Sequence, residues 1–346
     1  MSATKQKGQA AVVVAQAPDA AYEVVVRFVE IEQLAKHAIN AADIQKLKEQ
    51  GIATVGMLFQ CPLKTLHDIR GFSETKVAKI LETARKVDPR AGIIFRSGIE
   101  ARDERRNVIK ITTGSAGLDG ILGGGVETGS ITEFYGEFRT GKTQMMHTLA
   151  VTAQLDIQSG GGAGRVVFID TENNFRPERI ENIAERFGID GNEVLENIFH
   201  CQPQSHEQQM DFVHAVGPLA TENGPIRLVI VDSIITLFRT DFSGRGELAE
   251  RQQKLNKHMT SLKNIAREFN AAVVIINQVM ADPGAISMFA TVKPVGGHVV
   301  AHASTTRVML KKGRGEERIA KICDSPLMPE AEATFRISDG GITDPE

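Results

Sequence analysis

The run Gly136-Glu137-Phe138-Arg139-Thr140-Gly141-Lys142-Thr143 has the residue types and spacing of a phosphate-binding loop. Glycines let backbone amides close on phosphate oxygens, Lys142 reaches the terminal phosphates, and the Thr143 hydroxyl can ligate magnesium. An apolar strand over 130–134 precedes the run. A helix beginning near Thr143 follows it, and its N-terminus favours negative charge. A glycine turn with an incidental lysine is the bland reading, and the flanking elements argue against it. A second apolar run, Leu228-Val229-Ile230-Val231, ends in Asp232 followed by Ser233. A carboxylate at that strand edge can hold magnesium through water, although any buried strand can end in Asp. Together the two motifs point to nucleotide triphosphate chemistry.

Two further strand ends carry polar groups. Phe168-Ile169-Asp170-Thr171-Glu172 places Glu172 just past a sheet edge, where a carboxylate can orient or activate water; a structural salt bridge is the alternative. Asn277-Gln278 ends another strand, and its amide either senses a terminal phosphate or is an ordinary strand-end group. After Asp232 comes a loop with Arg239, Phe242, Gly244, Arg245 and Gly246, with Arg251 just beyond it. After Gln278, residues 279–296 contain Pro283, Gly284, Met288, Phe289 and Lys293 and lack a clear period. One basic and one mixed apolar loop suit a single nucleic-acid strand, with arginines on phosphates and apolar side chains between bases. Solvated surface loops would share that composition.

The elements that must position these groups are legible as texture. Short β-branched runs at 130–134, 166–169, 228–231 and 272–276 alternate with helical or glycine-rich stretches, which predicts an α/β core with a parallel, doubly wound sheet over 107–346. The 248–269 stretch sets Leu255, Met259, Leu262, Ile265 and Phe269 on one helical face. The glycine run at 160–164 reads as a flexible connection. Over 22–87, the spacing of Leu34, Ile39, Ile44, Leu47, Ile52, Val55, Leu58, Leu66, Ile69, Val77, Ile80 and Leu81 predicts several short amphipathic helices in a small domain, with Asn40 and Ser73 as N-caps. Within it, Gly51, the turn Ile69-Arg70-Gly71-Phe72-Ser73 and Lys76 read either as half of a helix-hairpin-helix gripping a duplex phosphate or as a plain capping turn. Residues 88–106 read as a linker whose buried anchor is Ile93-Ile94-Phe95, and 1–21 as a mobile tail.

Bulk properties set limits. The 346 residues carry a formal charge of -3, which argues against a surface that grips nucleic acid everywhere. Any such contact must be local. Cys61, Cys201 and Cys323 are scattered, without metal-ligand spacing, and fit a reducing compartment. No run has the length of a membrane span, and the apolar residues at 12–14 are too few for a signal peptide.

Several stretches together resemble one family, the eukaryotic and archaeal RecA-like recombinases, over nearly the whole chain after Tyr22. They are the phosphate loop, Ile169-Asp170-Thr171-Glu172 with Phe175-Arg176-Pro177-Glu178-Arg179, the run from Asp241 to Gln252, and Ala301-His302-Ala303-Ser304-Thr305-Thr306-Arg307. Ala281-Asp282-Pro283-Gly284, Asp324-Ser325-Pro326 and Met328-Pro329-Glu330 look like the meiosis-specific branch rather than the mitotic one. The resemblance implies a RecA-like P-loop ATPase core, its mainly parallel twisted sheet flanked by helices, plus a small N-terminal helix-hairpin-helix-like domain. It implies ATP and Mg2+ as cofactors, with DNA-dependent ATP hydrolysis driving homologous pairing and strand exchange. Expected partners are single- and double-stranded DNA, further copies of the chain in a helical filament or resting rings, and mediator and accessory proteins. The expected location is nuclear, on chromosomes and not at a membrane.

Residue by residue, the resemblance makes Glu172 the group that activates water, stacks Arg179 beside adenine, and has Gln278 and His302 sense the terminal phosphate. Asp324 and Pro329 would cap ATP on a neighbouring protomer. Arg239, Arg245 and Arg251 would touch DNA phosphates, while the loop around Pro283 and Gly284 inserts between groups of bases. The protomer-linking motif in relatives is Phe, two variable residues, then Ala; here Phe95-Arg96-Ser97-Gly98 replaces Ala with Gly. The second loop is shorter than in typical relatives, and His200-Cys201-Gln202-Pro203 stands where they carry an Arg-containing strand. Two other readings share the phosphate site: a ring-forming DNA motor, and a nucleotide-gated adaptor that binds partners and a duplex.

Overall fold

A computed structural model of the chain describes residues 28–92, 95–244, 246–281 and 292–345, with backbone alone at 281 and 292. The predicted 1–21 tail, Ile93 and Ile94 lie outside these residues. The chain divides into two compact units.

The first unit comprises residues up to Val108 together with Val213–Pro225 and Glu268–Asn270. Its N-terminal segment winds through α1 (Ala41–Glu49), α2 (Val55–Gln60), α3 (Leu63–His67) and α4 (Glu74–Val87). The predicted apolar positions from Leu34 to Ile80 are buried in one cluster, and Leu81 packs against it. Each such Leu or Ile contributes about 1.5–3 kcal/mol by leaving water. Polar caps start the helices. Asn40 accepts the Ala42 amide at 3.0 Å, Ser73 the Lys76 amide at 3.2 Å, and Thr54 the Met57 amide at 3.1 Å. Within 88–106 a helix forms as well, α5 (Gly98–Arg105), opened by a reciprocal capping box between Ser97 and Glu100. The expectation of a buried anchor fails at Phe95, whose side chain is fully exposed at 106%. Among the described residues this ring belongs to neither buried apolar cluster.

The second unit comprises Ile109–Phe212, Ile226–Arg267 and Ala271–Glu346. It opens with β1 (Lys110–Ile111) paired antiparallel to β2 (Val126–Glu127) around α6 (Ala116–Ile121). There follow β3 (Ile131–Gly136), α7 (Lys142–Thr152), β4 (Arg165–Asp170), α8 (Pro177–Arg186), α9 (Gly191–Glu196), β5 (Ile198–Cys201), α10 (His206–Asn223), β6 (Ile226–Asp232), α11 (Thr236–Asp241), α12 (Leu248–Phe269) and β7 (Ala272–Asn277), of which residues 213–223 of α10 and 268–269 of α12 belong to the first unit. A small antiparallel pair, β8 (Val279–Ala281) with β9 (Val292–Pro294), precedes α13 (Gly297–Ala303). The chain closes with β10 (Thr306–Lys312), β11 (Glu317–Asp324), β12 (Glu332–Ser338) and β13 (Gly341–Thr343).

Among the described residues the large sheet has nine strands in the order β13-β12-β11-β10-β3-β7-β6-β4-β5. From β10 to β5 neighbouring strands run parallel, and β11 to β13 extend the sheet as an antiparallel meander. Every residue of β3, β6 and β7 is buried. Strands covered on both faces read as continuous apolar runs, which is why these were visible in the sequence. Leu255, Met259, Leu262, Ile265 and Phe269 of α12 are all buried, as their spacing predicts. The glycine run at 160–164 corrects its expectation of a flexible connection. The amides of Gly161 and Gly162 bond to the carbonyls of Asp156 and Ala153, each at 3.0 Å, and a Cβ on Gly161 would lie 2.1 Å from the Leu155 carbonyl oxygen. Glycine is needed there for close packing. No helix among the described residues is long and apolar enough to cross a membrane.

A buried ion pair stitches the middle of the sheet. Arg307 Nε donates to Glu133 Oε2 at 2.6 Å, and Asn277 Nδ2 donates at 2.7 Å both to Glu133 Oε1 and to the Val295 carbonyl. The Glu133 side chain is inaccessible to water, so losing its cation would strand a charge. Arg307→Met is therefore expected to cost about 3–5 kcal/mol, read as a lower urea midpoint. Arg307→Met with Glu133→Leu should recover most of it; an Arg307→Met midpoint equal to that of the wild type would mean the pair contributes nothing.

Candidate nucleotide and nucleic-acid site

The phosphate loop, 136–143, leaves the carboxyl end of β3 and enters α7 through Gly141, whose φ of 94° is unfavourable for any residue with a Cβ. Gly136 is buried, whereas Glu137, Phe138 and Arg139 are exposed, with the Arg139 guanidinium 5.3 Å from the Phe138 ring centroid. Thr140 turns inward and its hydroxyl donates to the Glu137 carbonyl at 2.9 Å. Lys142 folds over its own loop, donating to the carbonyls of Gly136 at 3.0 Å and Glu137 at 2.7 Å. Burial pulls its ammonium below the usual lysine range, against the charges of Asp232, Glu172 and Glu137. These are weak neutral acceptors for a desolvated cation, and an anion in the loop would outcompete them.

The structure brings Thr143 and Asp232 together: the hydroxyl donates to Asp232 Oδ2 at 3.0 Å. Burial, then the charge of Glu172, pushes the Asp232 carboxyl up to about 7. Lys142 offsets only part of the charge gathered by Asp232 and Glu172, and a hard divalent cation with oxygen ligands would supply the rest. The residues present therefore fit magnesium.

Glu172 is held by four side-chain donors, one of them Asn174 Nδ2 on Oε2 at 3.4 Å. Its Oε1 accepts from Ser233 Oγ at 3.1 Å, Thr236 Oγ1 at 2.8 Å and Gln278 Nε2 at 2.7 Å. The other end of the same amide, Gln278 Oε1, accepts from Arg239 Nη1 at 3.2 Å. Arg239, Gln278 and Glu172 thus form one continuous chain of hydrogen bonds. It exists because β4, β6 and β7 are parallel neighbours whose carboxyl ends share an edge.

Other predicted residues sit apart from this chain. Arg179 lies on α8 and binds Gln144 Oε1 at 3.0 and 3.2 Å and the carbonyls of Ser338 and Asp339 at 2.8 and 2.9 Å. His302 stacks on His298, ring centroids 5.6 Å apart, on α13. Asp324 and Pro329 are exposed at the end of β11 and in the turn before β12. Among the described residues none of His302, Asp324 and Pro329 bonds to the phosphate loop. Phe242 is half-buried after α11, and Arg251 Nε on α12 is buried with no hydrogen-bond partner among the described residues, a donor left for a ligand. Arg245, Pro283 and Gly284 lie outside the described residues. In the first unit, Phe95 and Gly98 are both exposed.

The departure at His200 has a structural account. Its ring stacks on Phe175 with centroids 4.6 Å apart, and its Nε2 is 3.5 Å from Asp170 Oδ2. Burial alone would raise Asp170, but His200 and the amides of Phe175, Asn174 and Glu172 outweigh it and bring it to about 2. Asp170 in turn receives the Glu172 and Phe175 amides at 3.1 and 2.9 Å, which shapes the turn carrying Glu172. Sequence reasoning missed Thr236 as a partner of Glu172. The one available signal was a hydroxyl four residues after a strand-end Asp.

A phosphate loop between strand and helix, a hydroxyl–carboxylate pair at the same sheet edge and a mainly parallel sheet define a RecA-like P-loop nucleotide-binding core. The chain belongs to the Rad51 family, whose model matches residues 104–345. It is 52% identical over 319 residues to the Meiotic recombination protein DMC1 homolog A of Oryza sativa subsp. japonica, covering 92% of this chain and 91% of that protein. It is 50% identical over 336 residues to the human Meiotic recombination protein DMC1/LIM15 homolog, covering 96% and 98%. To the Meiotic recombination protein DMC1 of Saccharomyces cerevisiae it is 50% identical over 317 residues, covering 91% and 94%.

Proposed function

We propose that this chain is an ATP-dependent recombinase of meiosis, which polymerises on single-stranded DNA and carries out homologous pairing and strand exchange in the nucleus. The observation that carries the reading is the run of hydrogen bonds from Arg239 through Gln278 to Glu172. A residue assigned to DNA phosphate and a residue assigned to ATP hydrolysis are joined through one amide, so a change at either end alters the other.

The residues act as follows. Backbone amides of 136–143 and the N-terminus of α7 bind the phosphates of ATP, and Lys142 leaves its carbonyls for the terminal phosphates. Thr143 and Asp232 hold magnesium, which when bound neutralises phosphate charge. Glu172 orients water and takes its proton, while Gln278 binds either Glu172 or the terminal phosphate. Arg239, Arg251 and Arg245 hold phosphates of the strand, with Phe242, Pro283 and Gly284 against bases. Phe95 anchors the next protomer as an exposed apolar plug, and Gly98, lacking a methyl, makes that joint looser. Arg179 lies against adenine, and His302, Asp324 and Pro329 of one copy meet the nucleotide of the next. ATP between copies stabilises the active arrangement, hydrolysis loosens it, and DNA itself undergoes base exchange without covalent change. Mediator and accessory proteins would load and regulate the filament, and the small helical domain contributes duplex contacts.

The test is ATP turnover and electron microscopy with magnesium, with and without a single-stranded oligonucleotide. The strand should stimulate turnover and produce filaments, and Phe95→Glu should leave short or monomeric species. A nucleotide-loaded protein that ignores oligonucleotides at low salt would refute the reading.

A further inference from the structure

The contacts of Glu172 leave a second polar cluster of the same unit unexplained. His206, the first residue of α10, is only 4% exposed. Its Nδ1 lies 2.6 Å from Asp241 Oδ2, and its Nε2 lies 3.1 Å from Lys254 Nζ. A carboxylate accepts and an ammonium donates, so Nδ1 carries the proton toward Asp241 and Nε2 offers its lone pair to Lys254. The same Asp241 oxygen accepts the His206 amide at 2.8 Å, which ties the end of α11 to the start of α10. Burial would raise the Asp241 carboxyl, but the amide and ring of His206 outweigh it and hold it low.

This cluster abuts the beginning of the first loop. Phe242 follows Asp241 directly, with its ring 4.7 Å from that of His206 and the Lys254 ammonium 5.2 Å from its centroid. Lys254 stands one helical turn beyond Arg251, whose Nε has no hydrogen-bond partner among the described residues. One imidazole therefore sets where the chain leaves α11, how Phe242 is turned, and where a cation of α12 is held. The other charges facing it are Glu207 of α10, 3.6 Å from Nε2 and 3.8 Å from Lys254 Nζ, and Glu250 of α12, 3.7 Å from Lys254 Nζ. Phe238 covers the ring on a further side at 5.4 Å.

We propose that His206 is a positioning residue for single-stranded DNA, which bridges Asp241 to Lys254 and so presents Phe242 and α12 to the strand. The inference rests on the recombinase reading above.

Anisotropy of a labelled oligonucleotide with the full chain, a non-hydrolysable ATP analogue and magnesium tests it. His206→Ala should bind about fivefold more weakly than wild type while its nucleotide affinity without DNA is unchanged, which separates positioning from misfolding. His206→Gln, whose amide can donate to Asp241 and accept from Lys254, should bind within about twofold of wild type. The proposal is overturned if His206→Ala binds DNA like wild type, or if His206→Gln loses as much affinity as His206→Ala. Wild type that binds no oligonucleotide would overturn the recombinase reading along with it.

Discussion

Lys142→Ala is expected to remove measurable ATP binding, a loss of at least about a hundredfold, and with it stable joint molecules. The ammonium is the loop's own cation, partly buried and resting on two neutral carbonyls of that loop. Binding the terminal phosphates exchanges those neutral acceptors for charged oxygens, each such bond worth about 1.5–3 kcal/mol. Alanine forfeits all of them while leaving the loop's backbone to Gly141 and Thr140, so the fold should stand. Titration with a fluorescent ATP analogue, beside a strand-exchange assay, checks both halves. Unaltered strand exchange would dismiss ATP as the agent that orders the filament.

Glu172→Gln should separate holding ATP from cleaving it. The amide oxygen can still accept from Ser233, Thr236 and Gln278, so the hydrogen-bonded frame persists. Its basicity is gone, and DNA-stimulated hydrolysis should fall by about 10²–10⁴ with nucleotide affinity within a fewfold of wild type. Filaments should then outlast those of the wild type, because the step that loosens them is blocked. Phosphate release in single turnovers gives the rate and equilibrium titration the affinity; a fall below tenfold would move the base elsewhere.

Much of the site was legible because its motifs are local. The phosphate loop occupies consecutive residues, and buried parallel strands announce themselves as unbroken apolar runs ending in Asp170, Asp232 and Asn277. The small helical unit was legible through the period of its apolar positions and its Asn40 and Ser73 caps. Phe95 and the 160–164 turn were misread for opposite reasons. An apolar residue looks buried unless its surroundings are known, and a glycine run looks loose unless the carbonyl it packs against is known.

By itself, then, the order of residues determined which groups exist for chemistry and which elements carry them, since both follow from short-range spacing and periodicity. Only the tertiary structure decided their company: that Glu172 and Gln278, 106 residues apart, share a hydrogen bond, and that His206 meets Asp241 and Lys254. The order of strands in the sheet brings these side chains together, and strand order is settled by packing between distant segments, to which no local pattern is sensitive.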